Sequence, residues 1–252
     1  MITRAEILRR RRTLGVPEAQ VERDYVLCHV LAQIPEELPE LVFRGGTALA
    51  RVYWPDYRLS EDLDFISGDP ASDLGERLGS AVAKAASRTG HDLSFDFGRP
   101  RDGWSQSFVN WGNYALKIDV NMNERAHVPI EDRPLRLPYS DLASLGRTIG
   151  VVALEEILGN KWFMLDDRKE PRDLFDIWWG LNRESIPFER LAEGFKARNR
   201  FPPYRAAINA ARRLEPMWQT RLTHQVGQLP SFATVIGDVR GAYEAWDEAR
   251  LE

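Results

Sequence analysis

The chain has 252 residues, 43% apolar and 29% charged, with a formal net charge of −4. That is the composition of a soluble globular protein of one large domain or two small ones. A single cysteine, Cys28, excludes a disulfide framework and a multi-cysteine zinc site, the scattered His29, His91, His127 and His224 suggest no local metal cluster, and no apolar run is long enough to span a bilayer.

No apolar stretch follows the arginine run at residues 9–12, so no secretory leader is expected and the protein reads as cytoplasmic. The first 40 residues look helical. Leu8, Leu14, Val21, Tyr25, Leu27, Val30, Leu31 and Ile34 recur at helical spacings, and Pro17 opens a helix predicted over 18–33. Pro35 and Pro39 stop it. Residues 41–44 form a strand candidate ended by Gly45-Gly46, after which Thr47 is placed to cap a short helix through Tyr53. A second strand is predicted at 63–67, an alanine-rich helix at 72–89 and a third strand at 93–97. Two more, 107–111 and 114–122, flank Gly112-Asn113 as a hairpin. Residues 131–141, with Pro134 and Pro138, read as a linker or an edge strand. Beyond 152 the pattern is mainly helical, punctuated by Pro187, Pro202, Pro203, Pro216 and Pro230. The expected class is α/β (α+β): a mixed sheet with flanking helices over 1–140 and a helical domain over 141–252.

The chemistry concentrates in Phe43-Arg44-Gly45-Gly46-Thr47-Ala48-Leu49 and Arg58-Leu59-Ser60-Glu61-Asp62-Leu63-Asp64-Phe65. Two glycines between a strand and a helix let backbone N–H groups approach a phosphate. Ser60 adds a hydroxyl. Asp62 and Asp64, at i and i+2 of a strand, point to one side. Side-by-side carboxylates repel each other unless a cation joins them, and Mg²⁺ takes one or two such ligands together with substrate phosphates. Asp119, in Lys117-Ile118-Asp119-Val120-Asn121, is either a third carboxylate or a satisfied polar residue of its strand. Three carboxylates suit the two-metal arrangement of nucleotidyl transfer.

Further on, Lys161 follows the apolar run Val152, Leu154, Ile157, Leu158, and Asp173 and Asp176 share a helix face. These residues form a phosphate-binding group or an ion-paired surface helix. Trp178-Trp179 read as core more readily than as a base-stacking pair. Residues 181–225 hold nine basic and four acidic side chains, a net +5 in an acidic chain, which is either a polyanion footprint or a solvated helical face.

The order strand, Gly-Gly, helix, Ser-x-Asp-x-Asp, strand resembles the nucleotidyltransferase superfamily, and in detail the AbiEii/AbiGii toxin family of bacterial toxin–antitoxin systems. The similarity begins at Val21-Glu22-Arg23-Asp24-Tyr25-Val26-Leu27, continues through the two blocks above, and reaches Leu154-Glu155-Glu156-Ile157-Leu158-Gly159-Asn160-Lys161, Arg168 and Arg172-Asp173-Leu174-Phe175-Asp176-Ile177. The resemblance implies that Asp62, Asp64 and Asp119 bind Mg²⁺ or Mn²⁺, and that Arg44, Gly45, Gly46, Thr47 and Ser60 lie against the phosphates of an NTP. It implies that Lys161 contacts the triphosphate, that Asp176 is the late catalytic acid, and that the helical domain completes the active site and binds the acceptor. Arg44 stands where relatives often carry lysine, and a guanidinium holds phosphate but does not readily lose its proton.

The function so implied is a metal-dependent toxin that moves NMP from an NTP to an acceptor, the 3′ end of tRNA in at least some relatives, neutralised by a cognate antitoxin. Two alternatives remain at this stage. One is transfer to a small molecule or a protein hydroxyl. The other is a catalytically silent nucleotide-binding protein.

Overall fold

The computed structural model describes residues 2–55, 57–68, 72–197 and 204–248, and divides into two compact units, Met1–Val152 and Ala153–Glu252. The first unit contains α1 (Arg4–Leu14), α2 (Glu18–Leu31), α3 (Ile34–Glu37), β1 (Val42–Arg44) and α4 (Gly45–Ala48), which runs on as a π-helical turn, Leu49–Tyr53. It continues with β2 (Asp62–Ile66), α5 (Leu74–Thr89), β3 (Ser94–Asp96), β4 (Trp104–Trp111), β5 (Tyr114–Asn121), β6 (Glu131–Pro134) and β7 (Thr148–Val151). The strands form one seven-stranded sheet in the order β3-β4-β5-β2-β1-β7-β6. It is mixed: β2 runs parallel to β5 and β1 parallel to β7, while the other pairs are antiparallel.

Period-two alternation sorts the central strands. Phe43, Leu63, Phe65, Val109, Ile118 and Val120 are buried, while their neighbours Arg44, Asp62, Asp64, Gln106 and Lys117 are not. Helices α2 and α5 supply the core beside the apolar face. In α5, Leu74, Leu78, Ala81, Val82 and Ala85 form one buried stripe of helical period. Its Gly75 lets Phe97 approach: a Cβ there would lie 2.6 Å from the ring. Helix α2 is buried nearly all round, polar residues included.

The hairpin between β4 and β5 turns at Gly112, whose φ of +52° favours glycine. β4 starts at Trp104, three residues earlier than its sequence pattern indicates, because its first inward position is Ser105, so no apolar alternation marks the strand's start. β6 takes the edge position, one of the two readings of 131–141. β7 was not legible in the sequence: it is four residues long, contains Gly150, and joins the sheet beside β1. By adding this strand the first unit extends to Val152, so the division falls later than residue 140.

The buried ion pair between Asp24 of α2 and Arg51 of the π-helical turn lies within this unit. Their side chains are 1% and 2% exposed, and the Tyr139 hydroxyl donates to Asp24 Oδ2 at 2.7 Å. Burial pushes the Tyr139 phenol well above its ordinary range, with the Asp24 charge adding to the effect.

The second unit comprises α6 (Leu154–Asp167), α7 (Pro171–Asn182), α8 (Phe188–Ala197), α9 (Tyr204–Arg212), a 3₁₀ turn at Glu215–Met217, α10 (Trp218–Leu222) and α11 (Phe232–Glu248). Its core is aromatic, built on Trp162, Phe175, Phe188, Phe195 and Trp218.

Substituting Asp24→Ala strands the Arg51 guanidinium in the core, and urea unfolding is expected to show a loss of about 3–5 kcal/mol, the usual cost of breaking a buried pair from one side.

Candidate active site

The sheet face opposite the apolar core carries the expected chemistry. Backbone register sets Arg44, Asp64, Asp119 and Gln106 in one row across β1, β2, β5 and β4. Asp62, Lys117 and Phe108 form the next row, and Ile66, Asn121 and Trp104 the row on the other side. The three aspartates expected to act together thus lie on adjacent parallel strands of one face.

At the end of β1 the chain turns sharply into α4. Gly45 adopts φ +77°, and a Cβ there would fall 2.5 Å from Asp64 Oδ2, so only glycine lets the loop close over that carboxylate. At Gly46 a Cβ would sit 2.5 Å from the Arg58 guanidinium and 3.3 Å from Ser60 Oγ, which places these two groups against the loop. The helical segment runs from Gly45 to Ala48, with Gly45 in a left-handed conformation at its start, so it begins before Thr47 rather than after it. Thr47 is therefore inside the first turn, and its hydroxyl donates to the Asp62 carbonyl instead of capping. That bond fastens the loop to the strand that bears Asp62 and Asp64.

The three carboxylates are aligned but not gathered on one point. Among the described residues no group of three His, Cys, Asp or Glu is arranged to hold a metal ion. The Lys117 ammonium lies 2.7 Å from Asp119 Oδ2 and 3.9 Å from Asp62 Oδ2, and Gln106 donates to Asp119 Oδ1 at 3.1 Å. Burial works against the Lys117 charge, yet Asp119 and Asp62 outweigh it and hold the ammonium above its ordinary pKa. Asp64, partly exposed but covered closely by the Gly45 turn, is shifted upward, first by desolvation and then by the charges of Asp62 and Asp119, against the pull of Lys117 and Arg44. Arg44 is paired with Glu124, which also accepts from the Asn121 amide at 3.2 Å.

This donor set suits a divalent cation. Hard carboxylate oxygens are the ligands Mg²⁺ and Mn²⁺ prefer, one or two suffice for Mg²⁺, and the neighbouring charges of Asp62 and Asp119, which add to burial in raising the Asp64 pKa, are a repulsion a cation would relieve. Asp62 and Asp64 are the residues that would hold it. Asp119 already has two partners.

Lys161 and Asp176 belong to the helical unit. There Lys161 Nζ lies 2.9 Å from Asp173 Oδ1 and 2.7 Å from Asp176 Oδ2, and Arg168 grips Asp173 through two bonds of 2.8 and 2.9 Å. The cluster joins α6 to α7. It is ion-paired as one reading of the sequence had it, but buried rather than on the surface. Burial would raise the Asp173 pKa, but Lys161 and Arg168 prevail and hold it below the usual carboxylate range. Trp178 is core, with its indole N–H donated to Asp238 at 2.8 Å. In the basic segment Arg190 pairs with Glu155 and Arg213 with Asp166, while Lys196, Arg212 and Arg221 are exposed. Arg198, Arg200, Pro202 and Pro203 lie outside the described residues, as does the side chain of Arg205.

Lys117, Gln106, Arg58 and Glu124 were not singled out in the sequence. Lys117 had a visible signal, since it stands two residues before Asp119 on a strand and must share its face. Gln106 and Glu124 become neighbours of the site only through strand register and a turn.

The sequence matches the family described as nucleotidyl transferase AbiEii toxin, type IV toxin–antitoxin system, over residues 27–250. The chain belongs to this family. It is accordingly a nucleotidyltransferase toxin. No curated protein matches it. Its fold is similar to MenT4, a nucleotidyltransferase toxin of Mycobacterium tuberculosis H37Rv, with a TM-score of 0.64 at 18% identity, covering 96% of this chain and 89% of that one. It is also similar to a candidate nucleotidyltransferase from H. pylori, with a TM-score of 0.63 at 17% identity, covering 94% and 99%. Family membership brings with it an NTP substrate and an antitoxin partner. No helix among the described residues is long and apolar enough to cross a membrane.

Two outcomes follow from this geometry. Gly45→Ala forces a left-handed φ on alanine and drives its methyl into Asp64; stability is expected to fall by about 1–3 kcal/mol. Transfer activity should drop about 100-fold through misplacement of the carboxylate, as read in steady-state assays. For Asp173, a depressed folded pKa means that its stabilisation is complete above the ordinary aspartate value of about 3.9 and is lost as pH falls through the lower folded value. Asp173→Asn is expected to lose that acid-side pH dependence and about 1.5–3 kcal/mol at neutral pH, as measured by urea unfolding across pH.

Proposed function

We propose that this toxin transfers NMP from an NTP to the 3′ end of tRNA, with Mg²⁺ or Mn²⁺ held by Asp62 and Asp64, and that it acts in the cytoplasm beside its antitoxin. The observation that carries the reading is the row of Asp64 and Asp119 in register on parallel strands, with Asp62 on the same face and the Gly45-Gly46 turn closing over it.

The acceptor hydroxyl oxygen bonds to the α-phosphorus, the bond from that phosphorus to the β-phosphate bridging oxygen breaks, and pyrophosphate leaves with the electron pair. When bound, the divalent cation supplies positive charge to the phosphates and lowers the pKa of a coordinated hydroxyl. The chain's own groups do the rest. The N–H groups of the Gly45-Gly46 turn, the Ser60 hydroxyl and the Arg58 and Arg44 guanidinia take the triphosphate. Lys117 neutralises the carboxylate face, and Asp119, fixed by Lys117 and Gln106, accepts the acceptor's proton. The excess of basic residues over 181–225 supports a polyanionic acceptor, because RNA backbone contact is largely electrostatic.

The test is label transfer from each α-labelled NTP to total RNA, with and without chelator, beside Asp62→Ala. A labelled tRNA-sized band is expected, reduced at least about 1,000-fold by the variant or by chelation, in keeping with loss of transition-state charge stabilisation. Label on protein or on a small molecule would replace tRNA as the acceptor, and transfer that survives chelation would remove the metal.

A further inference from the structure

Trp104 is 44% exposed, whereas Trp54, Trp111, Trp162, Trp178 and Trp218 are all buried. Indole is a costly side chain to leave in water, and its position is not an accident of a loose loop. Trp104 opens β4 and exchanges two backbone hydrogen bonds of 2.9 Å with Arg101. The turn before it is braced by Gly103, whose carbonyl accepts from the Met122 N–H at 2.7 Å, and by Asn123, whose amide donates to the Asp102 carbonyl at 2.7 Å. A rigid turn thus presents an uncovered aromatic.

The face it occupies is the site's face. Along β4, Trp104, Gln106 and Phe108 alternate with the buried Ser105 and Ser107, and Gln106 bonds directly to Asp119. Phe108, in register with Lys117, is itself partly exposed. An aromatic, a polar and a second aromatic residue therefore line the strand next to the carboxylates. Sheet-borne aromatics at such spacing are a known platform for unstacked bases.

Position decides which base. The Gly45-Gly46 turn lies at the end of β1, on the Asp62 side of the carboxylate row. Trp104 lies on the opposite side, diagonally across Asp64 and Asp119. Strand spacing and rise put its Cα about 12 Å from that of Asp64. In an in-line displacement the attacking oxygen approaches the phosphorus opposite to the leaving group. With pyrophosphate leaving on the glycine side, the acceptor arrives from the Trp104 side.

We propose that Trp104, supported by Phe108, stacks the terminal base of the acceptor strand and so selects a nucleic acid 3′ end over a hydroxyl that carries no base. The proposal rests on the RNA-acceptor reading and deepens it. The platform positions the acceptor hydroxyl and leaves binding of the NTP to the glycine side.

The experiment uses the full chain and a short 5′-fluorescein-labelled single-stranded RNA with a free 3′ hydroxyl, titrated by fluorescence anisotropy. A second RNA lacks only its 3′-terminal base. Trp104→Ala is expected to weaken binding of the intact RNA about 10-fold, and Trp104→Phe about 2-fold at most, since stacking needs only a π-face. Removing the terminal base should cost the wild type the same factor and cost Trp104→Ala nothing more. NTP affinity should be unchanged in both variants. Equal RNA binding by wild type and Trp104→Ala, or additive losses from the variant and the abasic end, would overturn the platform while leaving the RNA acceptor in place. Failure of the wild type to bind or label either RNA would overturn both.

Discussion

A carboxylate and a guanidinium shut away from water hold the glycine loop of the candidate site in its setting. Asp24 on α2 and Arg51 in the π-helical turn are almost wholly buried, and removal of two charges from solvent is tolerable only because they meet each other and Tyr139. Arg51 also accepts the Arg136 N–H through its carbonyl at 2.7 Å. The turn that bears it is the direct continuation of the Gly45-Gly46 helix. The glycine loop, proposed to face the triphosphate, is therefore anchored at its start by the fit of Gly45 over Asp64 and at its end by an ion pair in the core. Rigidity at both ends is what a cradle of backbone N–H groups requires, since their value lies in being aimed before the ligand arrives.

Charge is balanced on the open face by the same logic with looser fittings. Lys117 serves Asp119 and Asp62 from between them, and Arg44 spans to Glu124. Lys117, Asp62, Arg44 and Glu124 are partly exposed, so the pairs between them contribute little to stability, whereas Asp119 is buried and held more firmly. The pair that holds the scaffold is sealed, while the pairs on the candidate site face each have at least one member partly open to solvent.

Much of this architecture could be read from residues alone, and what could not has identifiable causes. Local signals with a single meaning came through: the proline-bounded α2, the alanine-rich α5, the Gly112 turn, and Asp62 with Asp64 at strand spacing. Signals carried by pairing did not. β7 is too short to declare a period, and the serines of β4 conceal its inward face. Thr47 looks like a cap, and becomes an internal tie because the helical segment already starts two residues before it and its hydroxyl turns to the Asp62 carbonyl. Asp119 could be proposed but not placed, and the partners that occupy it, Lys117 and Gln106, come from its own strand and its neighbour's. Lys161 was legible as lying close to buried structure from the apolar run before it, but the burial of Asp173 and Asp176 depended on packing that no spacing encodes.

The sheet joins β2 to β5 as parallel neighbours although α5, β3 and β4 intervene in the chain. Asp64 and Asp119 thus start life on segments far apart, and only long-range closure brings them side by side, a slow event by nature. A ribosome making this toxin releases the glycine turn and the first two carboxylates well before their partner strand exists. The candidate carboxylate face is therefore completed only by that late pairing, after the glycine turn and the first two aspartates are already in the chain.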